Sequence, residues 1–275
     1  MRWYRANARE LPWRGADPWS VVVSEFMLQQ TPVNRVLPVY EQWLKRWPTA
    51  RALANTPASE VLRAWGRLGY PRRAQRLHQL ASTLVNEYDG EVPSDIDILR
   101  TLPGIGEYTA SAIMAFAFEE SSVVLDTNIR RVLARSQSGE QWPSVSITHG
   151  ERELAASLVP QRDAHVYNAA IMELGAVVCT AARPKCDQCP IQKQCAWLAT
   201  GQPQSPRPHR TQTWHGTDRQ CRGAILQMLR DATSGVSKNQ LSQCWHSTRQ
   251  FESCLAALIE EGFVEKRQRV YVLAD

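Results

Sequence analysis

Lysine is the residue that this chain most conspicuously lacks. Only five of its 32 basic residues are lysines, and none lies between Lys45 and Lys185. That long central stretch therefore offers no side-chain amine as a nucleophile. The positive charge comes instead from arginine, whose planar guanidinium makes bidentate contacts to phosphate that lysine cannot make. A genome-wide bias toward arginine codons would explain the same ratio without any phosphate ligand.

Long apolar runs are also missing. No segment approaches the ~20 consecutive apolar residues of a membrane-spanning helix. The N-terminal segment MRWYRANARELPWR is polar and aromatic, and it does not resemble a signal peptide. We therefore expect a soluble protein of the cytoplasm. With 275 residues, the chain can form one large domain or two smaller ones, each with an ample core.

Cysteine is concentrated in one short segment. Four of the seven cysteines fall close together: Cys179, Cys186, Cys189 and Cys195. In a reducing compartment this grouping predicts a metal site and not a disulfide framework. Zinc and an iron–sulfur cluster are the candidates, and the single C-x2-C pair with asymmetric flanking spacings favours a [4Fe–4S] cluster. The scattered remaining cysteines are predicted to be buried and structural: Cys221, Cys244 and Cys254.

The stretch from Leu102 to Asn128 carries the most informative pattern. Its opening turn contains Gly104 and Gly106, which let a ligand approach the backbone closely. The helix start that follows presents unpaired N–H groups, which suit a phosphate. Asp126 then follows an apolar run. This pattern indicates an enzyme that grips a nucleic-acid backbone beside an acid, although a structural turn and a simple N-cap aspartate fit the same residues.

Helical periodicity dominates the first two hundred residues, and strand-like alternation is absent there. Helix-start signals agree with it, including Pro32 in a first turn and the segment Thr56-Pro57-Ala58-Ser59-Glu60. The predicted helices are 18–30, 32–47, 56–65, 72–88, one that begins after Asp126, and 164–179.

The last seventy-five residues differ in character. Residues 201–216 contain three prolines and several polar residues, and they are predicted to form a linker. Residues 217–275 predict three helices closed by a hairpin near 263–273, which is typical of a winged helix. Such a module binds DNA or a protein partner, or it serves only as a packing module, and the residues leave these alternatives open.

Six motifs, in this order and spacing, resemble the helix-hairpin-helix DNA glycosylase superfamily, and most closely its MutY-type adenine glycosylase branch. The resemblance covers about residues 1–200, and Gln29-Gln30-Thr31 is the element that points to adenine glycosylases. The six motifs are LPWR at 11–14, SEFMLQQT at 24–31, LGY at 68–70, the 102–109 hairpin, DTN at 126–128 and the four cysteines.

The resemblance implies an all-α, two-lobed fold for residues 1–200. A helical barrel lobe would span about 18–125. The N-terminal segment would join 126–200 in a second lobe, whose iron–sulfur cluster loop is 179–195. Residues 217–275 would add a small winged-helix-like α+β unit, similar to the endings of some actinobacterial members.

The resemblance also implies a catalytic set. Glu25 is the acid that protonates N7 of adenine, and its apolar neighbours would raise its pKa. Asp126 stabilises the sugar carbon, or bonds to it transiently, before water attacks. Tyr108 stands where strand-cleaving relatives have a lysine, which implies a monofunctional enzyme. Tyr108 is expected to hold the flipped base or Asp126, and Asn128 is expected to be a supporting polar residue.

Base flipping must precede this chemistry, and the resemblance assigns residues to it. Tyr70 and Leu68 resemble the residues that wedge into the duplex. Gln30 and Thr31 resemble readers of the opposite base. The expected wall of the adenine pocket comprises Arg9, Leu11, Trp13, Arg14, Leu28 and Val33.

The implied activity is removal of adenine mispaired with 8-oxoguanine or guanine by a monomer that binds double-stranded DNA and carries a [4Fe–4S] cluster. Three features depart from the familiar family member. A Nudix-like C-terminal domain, which helps recognise 8-oxoguanine, is replaced by a far smaller unit. Pro71 stands where many relatives have an aromatic residue, and Thr127 stands where glycine is usual.

Two other functions compete with this one. A thymine glycosylase for T·G mismatches would share the tyrosine hairpin and the cluster loop, but it lacks the Gln29-Gln30 signature. A non-catalytic iron–sulfur redox sensor would use the cluster as a switch and the winged helix as a DNA reader, but it would not need Glu25 and Asp126 in their motifs.

Overall fold

The computed structural model describes residues 1–206 and 214–275, and these residues form a mainly helical protein with three short strands. None of the helices within those ranges has the length and apolar character required to cross a membrane. The helices are α1 (Arg2–Asn7), α2 (Pro18–Leu28), α3 (Val33–Arg46), α4 (Ala50–Ala54), α5 (Ala58–Trp65), α6 (Arg72–Glu87), α7 (Ile96–Thr101), α8 (Glu107–Ala117), α9 (Thr127–Leu133), α10 (His149–Leu158), α11 (Ala164–Val177), α12 (Ala196–Ala199), α13 (Asp218–Asp231), α14 (Lys238–Ser242) and α15 (Thr248–Glu260). The strands are β1 (Val236–Ser237), β2 (Val264–Arg267) and β3 (Val270–Leu273).

The chain groups into two compact units. The first comprises Met1–Glu25 with Pro93–Arg210, and the second comprises Phe26–Val92 with Thr211–Asp275. The predicted lobes divide the chain differently over 18–25 and 93–125, and the predicted domain boundaries remain predictions. Part of the predicted linker, residues 207–213, lies outside the described residues.

The core of the first unit is built around α8, α9 and α11. Ala112 and Ile129 belong to one buried cluster, against which Tyr108 and Ile171 pack. Gly175 of α11 lies so close to α9 that a Cβ there would stand 2.7 Å from a side-chain carbon of Asn128. A larger residue at this position would push apart the two helices.

The predicted helix-hairpin-helix element is formed by α7, a short turn and α8. The Asp95 side chain caps α7 by accepting hydrogen bonds from its first turn. Leu102 and Ile105 are buried and anchor the turn. Gly104 has a φ of +79°, in the left-handed region that glycine adopts without strain. Gly106 is the N-cap of α8, so the N–H groups of that helix start follow the turn directly, as predicted.

Large aromatic side chains fill the helical part of the second unit. The ring centroid of Trp43 lies 4.6 Å from that of Trp47 and 5.6 Å from that of Trp65, with both pairs edge to face. Leu77 and Leu80 of α6 are fully buried beneath the neighbouring helices. This core explains why α3, α5 and α6 carry the helical periodicity seen in the sequence.

Residues 217–275 form the expected small α+β module, which confirms that prediction. The Thr217 side chain caps α13 by accepting a hydrogen bond from the N–H of Gln220. The three strands form an antiparallel sheet in the order β1-β3-β2. Phe251 and Phe263 of this module are fully buried.

Candidate functional site

Glu25 is a carboxylic acid buried in an apolar helix. It lies near the end of α2, whose neighbouring side chains are buried, and only 6% of it is exposed. Burial raises the pKa of Glu25 to about 7, with a further rise from the charge of Asp126 and an opposing effect from a Tyr108 hydrogen bond. The side chain therefore holds its proton up to about neutral pH, as its apolar neighbours predicted.

Tyr108 lies close to both carboxylates of the predicted catalytic set. It is the second residue of α8, directly after the turn that contains Gly104 and Gly106. Burial, the charges of Glu25 and Asp126, and a hydrogen bond to Glu25 all raise the pKa of Tyr108. Its hydroxyl therefore stays protonated and donates to Glu25. The sequence predicted a role beside the flipped base or Asp126, whereas the structure identifies Glu25 as its hydrogen-bond partner.

Asp126 is both the N-cap of α9 and the second carboxylate of this group. One oxygen accepts from the N–H of Ile129 at 2.6 Å, and the other accepts from Nδ2 of Asn128 at 2.8 Å. Burial raises the pKa of Asp126, and these hydrogen bonds together with the charge of Arg131 only partly offset that rise. The two interpretations drawn from the sequence, helix cap and reactive acid, are therefore compatible, because the cap fixes the direction of the carboxylate.

A path of hydrogen bonds connects Asp126 to the first cysteine of the predicted cluster loop. Nη2 of Arg131 donates to Oδ1 of Asn128 at 2.9 Å, which leaves Nδ2 of that amide facing Asp126. Nε of Arg131 donates to the backbone carbonyl of Cys179 at 2.8 Å. Arg131 is only 6% exposed, so the path runs through the interior of the first unit.

The four predicted cysteines line one pocket that opens to solvent, and none of them forms a disulfide. Nη1 of the buried Arg135 lies 3.4 Å from Sγ of Cys179, and Nε2 of Gln202 lies 3.3 Å from Sγ of Cys186. Over the described ranges, no three His, Cys, Asp or Glu side chains are arranged to hold a single metal ion. The loop thus places its thiols around a space and does not converge them on one point.

Two arginines predicted for the adenine pocket share a buried carboxylate. Glu173 of α11 is 1% exposed. Arg9 binds it through Nε at 2.6 Å and Nη2 at 2.9 Å, and Arg14 binds it through Nη2 at 2.8 Å. Burial alone would raise the pKa of Glu173, but both arginines outweigh it and lower the pKa. These ion pairs attach the N-terminal segment to α11, beside the partly buried Leu11 and Trp13.

The remaining predicted residues lie in the second unit. Gln30 is exposed with a φ of +55°, while the buried Thr31 donates its hydroxyl to the carbonyl of Leu68 at 3.1 Å. Leu68 is only 3% exposed, whereas Tyr70 is 43% exposed. Of the two predicted wedge residues, Tyr70 is therefore the one that reaches solvent. Two partly buried residues flank the 29–31 turn: Leu28 at the end of α2 and Val33 at the start of α3.

Arg73 of α6 holds the two loops of this region together. It is 7% exposed, and burial lowers the pKa of its guanidinium to about 10, so it remains a cation at neutral pH. Its acceptors are the carbonyls of Phe26, Met27, Gln29, Leu68 and Gly69 and the hydroxyl of Thr31. One buried guanidinium thus fixes the 26–31 segment to the 68–69 turn.

Sequence reasoning missed three of these charged residues. Glu173 stands in the apolar run Ile171-Met172-Glu173-Leu174, which is the same signal that singled out Glu25, since buried charges need partners. Arg131 carried a weaker signal as part of the arginine pair in the last turn of α9. Arg73 carried none, because it stands among other arginines and its partners are mostly backbone carbonyls distant in sequence.

Comparison with known proteins gives a consistent result. Residues 23–157 match the HhH-GPD superfamily of base excision DNA repair proteins. The chain is 48% identical over 269 residues to an adenine DNA glycosylase of Mycolicibacterium smegmatis, which covers 97% of this chain and 91% of that protein. It is 45% identical over 274 residues to an adenine DNA glycosylase of Mycobacterium tuberculosis, covering 97% and 89%.

Solved structures share the fold. A thermostable thymine-DNA glycosylase superimposes with a TM-score of 0.67 at 29% identity, covering 72% of this chain and 93% of that one. Endonuclease III in a non-covalent complex with DNA superimposes with a TM-score of 0.63 at 21% identity, covering 73% and 92%. The helical fold of the chain is therefore that of the HhH-GPD glycosylases.

Proposed function

Because this chain belongs to the adenine DNA glycosylase family of the HhH-GPD superfamily, we propose that it hydrolyses the N-glycosidic bond of adenine paired with 8-oxoguanine or guanine in duplex DNA. The observation that carries this proposal is the pair of carboxylates, Glu25 and Asp126, beside one tyrosine. Glu25 keeps its proton near neutral pH, and Asp126 is held by two N–H donors. A proton donor and a sugar-stabilising carboxylate need such different environments.

The reaction begins when adenine leaves the base stack, which costs roughly a few kcal/mol. Glu25 donates its proton to N7 of adenine as the bond from N9 to C1′ breaks, so the bonding electrons leave with a neutral base. Positive charge develops on the sugar, and the carboxylate of Asp126 stabilises it. Water adds to C1′ and releases a proton, and Glu25 is reprotonated from solvent.

Tyr108 holds Glu25 in position and does not act as a nucleophile. Its hydroxyl stays protonated because burial and two nearby carboxylates raise its pKa. A Schiff base with the sugar needs an amine, and the chain has no lysine from 46 to 184. We therefore expect a monofunctional enzyme that leaves an abasic site without cutting the strand.

Residues outside the carboxylate pair would recognise the duplex. Tyr70, exposed on its turn, would fill the gap left by the flipped base, and Gln30 and Thr31 would read the base opposite. Gly104 and Gly106 would let a phosphate approach the start of α8. The N-terminal segment with Arg9, Leu11, Trp13 and Arg14, together with Leu28 and Val33, would form the adenine pocket. Because one chain supplies the whole set, a monomer suffices.

The four cysteines would hold a [4Fe–4S] cluster. Support comes from four thiols around one pocket, with N–H donors directed at Cys179 and Cys186 as in iron–sulfur sites. When bound, the cluster supplies covalent cross-links that fix the loop, and the carboxylates carry out the bond cleavage. We expect about four iron atoms per chain in protein purified without oxygen. About one zinc per chain and no iron would contradict this assignment.

Single-turnover base release from matched duplexes tests the proposed function. The duplexes differ only in one pair, which is A·8-oxoguanine, A·G, T·G or A·T, and alkali is added afterwards to reveal abasic sites. We expect the fastest release from A·8-oxoguanine, slower release from A·G, and strand breakage only after alkali.

Each other outcome has a definite meaning. Faster release from T·G would establish the thymine glycosylase that the 29% identical neighbour suggests. Binding without release from any duplex would favour the redox-sensor alternative. Strand breakage without alkali would contradict the monofunctional mechanism.

A further inference from the structure

The C-terminal module is attached to the helical part of the second unit by reciprocal hydrogen bonds. Nη1 of Arg63 in α5 donates to the carbonyls of Leu229 and Ala232, each at 3.0 Å, at the end of α13. In return, Nε of Arg230 donates to the carbonyl of Leu62 at 3.0 Å. A cation at a helix C-terminus is a favourable contact. The module is therefore held at a fixed place beside α5.

Arg219 of the module contacts two exposed aromatic side chains. Its Nη1 donates to the hydroxyl of Tyr70 at 3.3 Å, and its guanidinium lies 4.8 Å from the ring of Trp214. Tyr70 is 43% exposed and Trp214 is 45% exposed. Large apolar side chains with this much exposure are few in the described part of the chain, and two of them meet at the same arginine.

The backbone at Tyr70 is one that needs support. Its φ is +47°, in the left-handed region that non-glycine residues rarely occupy. Arg73 stands 5.4 Å from the centre of its ring. Tyr70 is thus held on its ring by a buried arginine and at its hydroxyl by Arg219, so its side chain is held in place before any ligand arrives.

We propose that Trp214 and Arg219 form, together with Tyr70, one surface that contacts lesion-containing duplex DNA, with Arg219 as a positioning residue for the Tyr70 wedge. This proposal rests on the proposed function, since it needs a flipped base and a gap for Tyr70 to fill. It gives the C-terminal module a direct part in lesion recognition.

The chemistry of the surface favours nucleic acid as its ligand. Exposed aromatic rings stack on unpaired bases, and an arginine fork binds phosphate through paired N–H groups. A protein-docking surface would instead be expected to expose a contiguous apolar patch. Here each exposed ring is paired with a guanidinium, and the chain as a whole is basic, with a net charge of +5.

Equilibrium binding to the A·8-oxoguanine duplex tests the proposal, with Glu25→Gln as the common background so that the substrate is not consumed. The variants are Arg219→Ala, Trp214→Ala, Tyr70→Phe and the pair Arg219→Ala with Tyr70→Phe. Arg249→Ala is the matched control, since it removes an exposed arginine from the same module. A 2-aminopurine beside the target adenine reports unstacking.

We expect Arg219→Ala to weaken binding about tenfold and to lower the salt slope by about one, because a phosphate contact is lost. Trp214→Ala should weaken binding about fivefold through lost stacking. Tyr70→Phe should weaken binding about threefold in the Glu25→Gln background. It should have no further effect in the Arg219→Ala variant, because the hydrogen bond between the two side chains is then already absent. The 2-aminopurine signal should fall with Arg219→Ala and not with the control.

Two results would overturn the proposal: an Arg219→Ala enzyme that binds and unstacks DNA like the Arg249→Ala control, or losses from Arg219→Ala and Tyr70→Phe that multiply independently. The first result would mean that the hydrogen bond from Arg219 to Tyr70 only holds parts of the second unit together and plays no part in binding DNA. Base release by the enzyme with native Glu25 is measured in parallel. If the enzyme releases no base, the proposed function is refuted. If it releases adenine but Arg219→Ala binds and unstacks DNA like the control, only this inference is refuted.

Discussion

Replacing Glu25 with glutamine is expected to slow adenine release by about 10²–10⁴-fold at pH 7, with the fold intact. Glutamine has nearly the same shape and keeps a carbonyl oxygen that accepts from Tyr108, but it holds no transferable proton. Single-turnover release from the A·8-oxoguanine duplex measures the effect. Equilibrium binding of that duplex should be almost unchanged. Release within about threefold of the native rate would remove Glu25 from the mechanism.

The same substitution is expected to stabilise the protein in a pH-dependent way. The pKa of Glu25 rises from 4.5 to about 7 on folding. A carboxyl group with a raised folded pKa costs stability as the pH rises from about 4.5 toward 7, because only the unfolded chain ionises freely. Glu25→Gln removes that cost, so the gain should be near zero below pH 4.5 and should level off near 3 kcal/mol above pH 7.

Urea unfolding of both proteins at several pH values measures this gain. Glu120→Gln serves as the control, because Glu120 is exposed and the same chemical change there should give no such trend. An equal gain at pH 4.5 and pH 8 would show that the stabilisation comes from packing and not from the proton. A loss of stability at pH 8 would contradict the burial of an acid at this position.

The pH dependence of base release follows from the same pair. Activity should fall as the pH rises through about 7, where Glu25 loses its proton. It should also fall at low pH, because burial raises the pKa of Asp126 and brings its protonation closer to neutral. Because the two carboxylates interact, the two apparent pKa values of the pH profile belong to the pair and not to either residue alone.

Much of this site could be predicted from the order of motifs. Glu25 is an acid among apolar residues, and Asp126 ends an apolar run before a helix, so local sequence indicated both burial and helix capping. The cysteines also needed no tertiary information, because their separation along the chain is short enough for a single loop to gather them.

Contacts between distant segments could not be predicted in this way. The bond from Tyr108 to Glu25 joins two residues that are far apart in the sequence. The acceptors of Arg73 are mostly backbone carbonyls that no side-chain pattern reveals. Burial is a second example. The motif places Leu68 with Tyr70 in the wedge, but it does not reveal that Leu68 is buried and Tyr70 exposed.

The other large effect is expected at Asp126, where asparagine should slow adenine release by about 10²–10³-fold through loss of the stabilising charge. Asparagine is as good an N-cap as aspartate, so Asp126→Asn can keep the bond from Ile129. Its amide would, however, face Nδ2 of Asn128, whose other end is fixed by Arg131. Two donors would then oppose each other, and some stability should be lost as well.

Exchanging the two residues separates charge from structure. The double variant Asp126→Asn with Asn128→Asp restores a donor facing an acceptor and gives Arg131 a carboxylate to bind, so thermal stability should recover. The carboxylate is now at position 128 and no longer at position 126, where it would face the reacting sugar. Base release should therefore remain as slow as in Asp126→Asn alone. Recovery of activity together with stability would show that Asp126 acts only as a helix cap. Stability without activity is the result that a charge acting at position 126 requires.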